Sequence, residues 1–289
     1  LKCSRFPNVD IDANKTGGNA ESRFELNLTD VSQQRICMTG ILVPDLLRQL
    51  LPALDAADIC FLCSASRRLR EELKWLRSFS VKFRRELFVD DDIIESLGRT
   101  IRAMPCLRHL SVCLAYHGSS TLCCMLAESL SGLQLVELAL DIRHCNLGDQ
   151  DIQAWTKSMA QQHSLTFLQL RLSFNRISRK GAHDLAKAFK QFGNSITDVV
   201  LDVDINPIGV GAVSLLESLR VPRLRLDMAH CGIGDVIAQE LAKILESFDT
   251  ESLELDLRGN CLTESGKVWI VKATACLNAA GCKCLSRLD

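Results

Sequence analysis

The chain has 289 residues, 47% of them apolar and 24% charged, which is a globular composition with room for a small module and a larger unit. Its net charge of −1 gives no bulk attraction to nucleic acid or to an anionic membrane. No run approaches the ~18 apolar residues that would span a bilayer, and no apolar leader follows Leu1. The 14 cysteines are irregularly spaced, and several, such as Cys60, Cys63, Cys113 and Cys276, fall inside apolar patterns. That favours buried thiols over a disulfide framework and places the protein inside the cell, in cytoplasm or nucleus.

Residues 7–40 are polar and contain Gly and Asn, with one strand-like run at Phe24–Leu28. Residues 1–40 therefore read as a flexible N-terminal segment. Residues 41–85 are different. Pro44 suits a first helical turn, and Asp45 adds negative charge there. Leu46, Leu47, Leu50 and Leu51 supply an apolar face, and Pro52 stops the helix. Asp55-Ala-Ala-Asp58 reads as an N-cap with an acid three residues on, followed by Ile59, Leu62, Cys63, Leu69 and Leu73 at helical spacing. Such a short helical piece buries little alone, so it should lean on the rest of the chain or on a partner.

Val43-Pro44-Asp45-Leu46-Leu47, Leu54-x-x-x-Asp58-Ile59 and Cys63-Ser-Ala-Ser-Arg67 together resemble the F-box, with Val43 at the opening Leu position and one residue fewer before Leu46. The resemblance implies a substrate receptor of an SCF-type cullin–RING ubiquitin ligase. It implies that Pro44, Leu46, Leu47, Leu54, Asp58 and Ile59 face the adaptor protein. The alternative is that residues 41–85 only cap the repeats that follow.

Between residues 67 and 85, Trp75, Phe79 and Phe83 are spaced like one helix face among eight lysines and arginines. An amphipathic linker helix explains this better than a nucleic-acid site does. Residues 86–106 are expected to hold a linker and a first helix, with Asp90-Asp91-Asp92 at its start.

From residue 107 the chain repeats. Leu170-x-Leu172-x-x-Asn175, Leu201-x-Val203-x-x-Asn206 and Leu255-x-Leu257-x-x-Asn260 share one pattern. Leu140-x-Ile142-x-x-Cys145 and Leu226-x-Met228-x-x-Cys231 put Cys at the Asn position, and Val112-x-Leu114-x-x-His117 is a weaker copy. The markers are 28, 30, 31, 25 and 29 residues apart. Each copy reads as a strand, a turn held by the Asn or by a weakly donating Cys, and a helix such as Ala182, Leu185, Ala186 and Phe189 define. The pattern resembles ribonuclease-inhibitor-like leucine-rich repeats over residues 107–289. It predicts an α/β fold, a solenoid with a curved parallel sheet inside and helices outside, preceded by a small all-α F-box-like module. About six repeats are expected. Cys284–Asp289 opens a further strand and Trp269 takes a solvent-facing position, so either the array continues or residues 276–289 fold back as a cap.

The inner face of such a sheet is where repeat proteins bind. The central position reads Asp141, Arg171, Asp202, Asp227 and Asp256 along the repeats, and two residues on it reads Arg143, Ser173, Asp204, Ala229 and Arg258. Three successive aspartates on strands ~4.8 Å apart repel one another, with Arg225 and Arg258 near enough to offset some of this. The functional reading is an acidic groove for a basic protein surface, and the alternative is a solvated, internally paired face. His144-Cys145 and His230-Cys231 recur but lie three repeats apart, too far to share a metal. Cys60-Phe-Leu-Cys63 sits inside an apolar helix and reads as packing. No phosphate loop, nucleophile elbow or zinc-protease helix is present. No cofactor, metal or enzymatic activity is expected, and neither is a nucleic-acid or membrane partner. The functions left are an F-box/leucine-rich-repeat substrate receptor, a plain repeat scaffold or inhibitor, and a Ran-type GTPase-activating protein, which shares the repeat class but has a longer array and an acidic tail.

Overall fold

The computed structural model describes residues 74, 77–83, 91–117, 120–159, 161–192 and 195–289. The F-box-like segment, with Pro44, Leu46, Leu47, Leu54, Asp58 and Ile59, lies outside the described residues, as do the 1–40 segment and Cys60-Phe-Leu-Cys63.

Strands and helices alternate. The strands are β1 (Ser78–Lys82), β2 (His109–Cys113), β3 (Glu137–Asp141), β4 (Phe167–Arg171), β5 (Asp198–Asp202), β6 (Arg223–Asp227), β7 (Ser252–Asp256) and β8 (Lys283–Arg287). The helices between them are α1 (Asp91–Arg102), α2 (Ser120–Ser129), α3 (Asp149–Met159), α4 (Arg179–Gln191), α5 (Gly211–Ser218), α6 (Asp235–Glu246) and α7 (Glu264–Ala279). The strands form one sheet in sequence order, every neighbour parallel. Neighbouring helices pack ~8–10 Å apart while strands sit ~4.8 Å apart, so the stack must bend with the strands on the inside.

The expected strand rhythm holds. In β3 to β7 the Leu-x-Leu residues are buried, as with Leu138 and Leu140 or Leu224 and Leu226. They meet the inner faces of the helices, where Ala182, Leu185, Ala186 and Phe189 of α4 are buried as their spacing demands. One expectation is corrected at the start of the sheet. Residues 78–82, read as part of a linker helix, are β1, and Phe79, Val81 and Phe83 are buried against the sheet. The sequence alternates Phe-Ser-Val-Lys-Phe, and the β2 edge supplies the backbone bonds that settle period two over period four. At the other end the expected further strand is present and the alternative of a fold-back is not: residues 283–287 extend the sheet as β8, in parallel register with β7. Trp269 is indeed exposed, with the Lys272 ammonium 5.9 Å from its ring centre. Cys276, expected among the buried thiols, is exposed, whereas Cys123, Cys145, Cys231 and Cys282 are buried.

The Asn positions tie one repeat to the previous one. Asn175 Nδ2 donates to Leu172 O of its own repeat at 2.7 Å and to Ile142 O of the preceding one at 3.1 Å. Its Oδ1 accepts from the backbone N–H groups of Cys145 and Leu147 at 3.1 and 3.0 Å. Asn206 and Asn260 repeat the pattern. Where Cys stands instead, its thiol donates across the same junction, Cys145 to Leu114 O at 3.2 Å and Cys231 to Val203 O at 3.3 Å. Burial pushes the Cys231 thiol up to about 12, so it remains a donor.

A second tie runs along the helical side. Ser178 caps α4 by accepting from Lys180 N and donates its hydroxyl to Asp149 at the start of α3. Asp149 also accepts from the Ser178 and Gly181 amides. Gly181 leaves the space, since a Cβ there would collide with that carboxylate. Asp235 makes the same clamp to Thr263. Burial alone would raise the Asp149 pKa, but the bonds from Ser178 and Gly181 outweigh it and hold the carboxyl below its usual range.

The Asn ties set a stability test. Asn206 is buried, so Asn206→Ala strands donors and acceptors in two repeats and is expected to cost roughly 2–4 kcal/mol in urea unfolding. Asn206→Cys should cost clearly less, because a thiol can still donate to Leu172 O.

Candidate functional site

The alternate residues of each strand point away from the helices and line the inner face. Strand register sets them in rows. One row runs Lys82, Cys113, Asp141, Arg171, Asp202, Asp227, Asp256 and Arg287, each opposite the next. The predicted run of three aspartates is therefore a row of true neighbours on β5, β6 and β7.

The carboxylates of this row differ in their partners. Asp141 is held by Arg143 at 2.7 Å, with Arg171 at 3.8 Å. Asp256 is held by Arg258 at 2.6 Å, with Arg287 at 3.7 Å. Burial would raise the Asp256 pKa, but these arginines more than reverse it and keep the carboxylate ionised. Arg225, expected to soften the aspartate row, pairs instead with Glu254 at 3.4 Å.

Between the two arginine-held ends lie Asp202, Asp204 and Asp227. Asp202 accepts from Ser173 Oγ and from Asp204 N, and Asp227 accepts from Ala229 N. Asp204 faces the His230 ring at 3.1 Å. Among the described residues, neither Asp202 nor Asp227 forms an ion pair. Burial raises the pKa of both, and for Asp227 the charges of Asp202, Asp256 and Asp204 add to the effect. Both carboxyls are thus half-buried, and their charged form is held at a cost. A shallow pocket opens beside Asp227, lined by Arg225, Asp227, Glu254, Asp256, Leu285 and Arg287.

Sequence reasoning missed a further row. The residue just before each Asn, Cys or His marker has a left-handed backbone: Tyr116, His144, Phe174, Ile205, His230 and Gly259 all have positive φ, from 49° to 71°. The His residues seen as recurring belong here, His144 between two aromatic rings and His230 on Asp204. Gly259 is the one residue of the row without a side chain, and a Cβ there would run into the His230 ring. The signal in the sequence was the bulky residue at a turn position that ordinarily favours Gly or Asn.

Among the described residues no group of three His, Cys, Asp or Glu is placed to hold a metal ion, and no helix is long and apolar enough to cross a membrane.

The family model described as Leucine Rich repeat matches residues 224–242. Among solved structures the chain is similar to a chain of the Rad7 and Elc1 complex from yeast, with a TM-score of 0.40 and 15% identity, over 78% of this chain and 62% of that one. It is also similar to the tropomodulin C-terminal domain of Caenorhabditis elegans, with a TM-score of 0.29 and 11% identity, over 78% of this chain and 95% of that one. This chain thus spans less than two thirds of the yeast chain's length. No curated protein sequence matches it. With eight parallel strands in chain order, helices between them and asparagine-held turns, the architecture is an α/β leucine-rich-repeat solenoid.

Proposed function

We propose that the protein is a non-enzymatic interaction module whose inner sheet face binds a basic segment of a protein partner. The observation that carries this is the contrast along one row. Asp141 and Asp256 are neutralised by arginines of the chain itself, whereas Asp202, Asp204 and Asp227 stand together between them without a lysine or arginine bound to them among the described residues. A lysine or arginine side chain from a partner would supply the missing charge in a partly dehydrated place, where such bonds are strongest. Arg143, Arg171, Arg258 and Arg287 at the two ends would fix the register of the bound segment and hold acidic residues flanking it.

Within this reading, we infer a more specific role from the F-box-like segment: a substrate receptor of an SCF-type ubiquitin ligase. Its support is the resemblance of residues 43–67, and Pro44, Leu46, Leu47, Leu54, Asp58 and Ile59 would be the adaptor contacts. The groove would then hold the substrate.

Four outcomes are expected. A fluorescent Gly/Ser peptide carrying two arginines should bind the full chain, more weakly as salt rises. The Asp204→Asn, Asp227→Asn double variant should lose about tenfold in affinity by fluorescence polarisation, or ~1.4 kcal/mol. Undiminished binding by that variant would remove the groove as the site. Asp227→Asn alone should raise the melting temperature at neutral pH. The raised pKa means that the folded state is penalised as pH rises above the unfolded value of 3.8, so the gap should close as pH falls back towards it. Finally, the SCF adaptor should co-purify with the full chain and not with the folded Leu46→Asp, Leu47→Asp double variant. Failure of the unaltered chain to retain the adaptor would leave a repeat scaffold with a helical cap.

A further inference from the structure

The turn row described above is costly to build and does nothing for the core. An L-residue with left-handed backbone is strained, and a β-branched one such as Ile205 most of all. Gly259 shows that the turn accepts a glycine. Yet Tyr116, Phe174 and Ile205 occupy it with large apolar side chains that are 41%, 43% and 36% exposed. Strained backbone bearing exposed apolar groups is characteristic of binding sites rather than of folding determinants.

The rings are also ordered. Tyr116 stacks on His144 with centroids 4.5 Å apart and planes 20° apart, and His144 stacks on Phe174 at 4.0 Å and 17°. Stacking covers the faces of the middle ring, so the stack shows a comb of ring edges outwards. Ring edges carry the positive end of the aromatic quadrupole, and the face of another aromatic ring laid across them makes the favoured edge-to-face contact. The row then continues through Ile205 to His230, whose Nδ1 lies 3.1 Å from Asp204. Apolar comb and acidic group are thus parts of one continuous surface.

Their separation is fixed by the sheet. His144 follows β3 and Asp204 follows β5, two strand spacings or ~10 Å apart, and an extended peptide covers that in about three residues. The geometry points to a two-part recognition surface. The Tyr116–His144–Phe174 stack takes an aromatic side chain of an extended partner segment, and a lysine or arginine about three residues away along that segment sits at Asp204. This rests on the basic-segment reading above and specifies the partner's sequence pattern. Single-stranded nucleic acid, the other class that stacks on aromatic rings, is disfavoured by the carboxylates Asp202, Asp204 and Asp227 beside the stack.

The test is an array of Gly/Ser peptides carrying one tryptophan and one arginine, in both orders, at every separation from adjacent to about eight residues, probed with the full chain. Binding should peak at a separation of about three and exceed that of the arginine-only peptide about tenfold. The Tyr116→Asn, Phe174→Asn double variant should lose that gain and keep the arginine-only affinity. Asn adopts the left-handed backbone readily, so its melting temperature should hold or rise. Should the double variant not fold, His144→Asn, which opens the middle of the stack, carries the same test. An affinity independent of separation, or a gain that survives loss of the rings, would overturn the two-part surface and leave the acidic groove standing. Absence of binding by every arginine peptide would overturn both. Tighter binding of oligouridylate than of any peptide, lost on removal of the rings, would assign the stack to nucleic acid instead.

Discussion

A polar side chain set into the turn, an Asn amide at three turns and a Cys thiol at two, makes this architecture possible. Where the chain leaves a strand and turns towards the helices, backbone N–H and C=O groups of two repeats face inwards with no strand or helix to satisfy them. Asn175, Asn206 and Asn260 each satisfy groups on both sides of the junction, donating with Nδ2 and accepting with Oδ1. Because each amide reaches into the preceding repeat, it fixes strand register as well as the turn. The rows of the inner face exist only because that register does not slip. Cys145 and Cys231 preserve the donor half of this arrangement and give up the acceptor half. The Asn of the following repeat still accepts from each Cys amide, and before Cys231, where no side-chain acceptor is offered, the Ile208 amide turns to Asn206 O at 2.8 Å.

The same register creates the electrostatic problem at the site. A parallel sheet places equivalent positions about 4.8 Å apart, so any residue repeated in sequence becomes a row in space. Along one row the chain answers Asp141 and Asp256 with arginines two residues on in the same strand continuation, Arg143 and Arg258. At the equivalent position after Asp202 stands another acid, Asp204, and after Asp227 stands Ala229. The unbalanced patch is therefore a local departure from a compensation rule that the neighbouring repeats obey.

The repeat part of the fold was readable because its signal is physical and periodic: Leu-x-Leu for a one-sided strand, a turn amide, an amphipathic helix. The aspartate row followed from it directly. What escaped were places where two periods coincide or where the periodic signal is silent. Phe79 and Phe83 satisfy both a helix face and alternate strand positions, and only the neighbouring strand decides between them. Cys276 lies in an apolar stretch of α7 yet on its exposed side. Tyr116, His144, Phe174 and Ile205 precede the turn marker, a position that carries no hydrophobic period, so their alignment into a stack is visible only once backbone angles are known. Arg225 was assigned to the nearest acids along the row, but Glu254 faces it on the next strand.

The carboxylate clamps on the helical side are unevenly distributed. Asp149 ties α3 to the cap of α4, and Asp235 ties α6 to the cap of α7. The start of α5, the shortest of the described helices, has no side-chain cap bond, and neither does the start of α6. Around α5 the outer side is joined by exposed side chains instead, Lys190 of α4 to Glu217 at 3.5 Å and Arg220 to Ser247 O at 2.8 Å. That stretch backs β5 and β6, the strands of Asp202 and Asp227. The strands that carry the unbalanced charge are thus backed by the stretch of the outer layer that lacks a carboxylate clamp, so the weakest electrostatics of the inner face and the most exposed ties of the outer one fall in the same repeats.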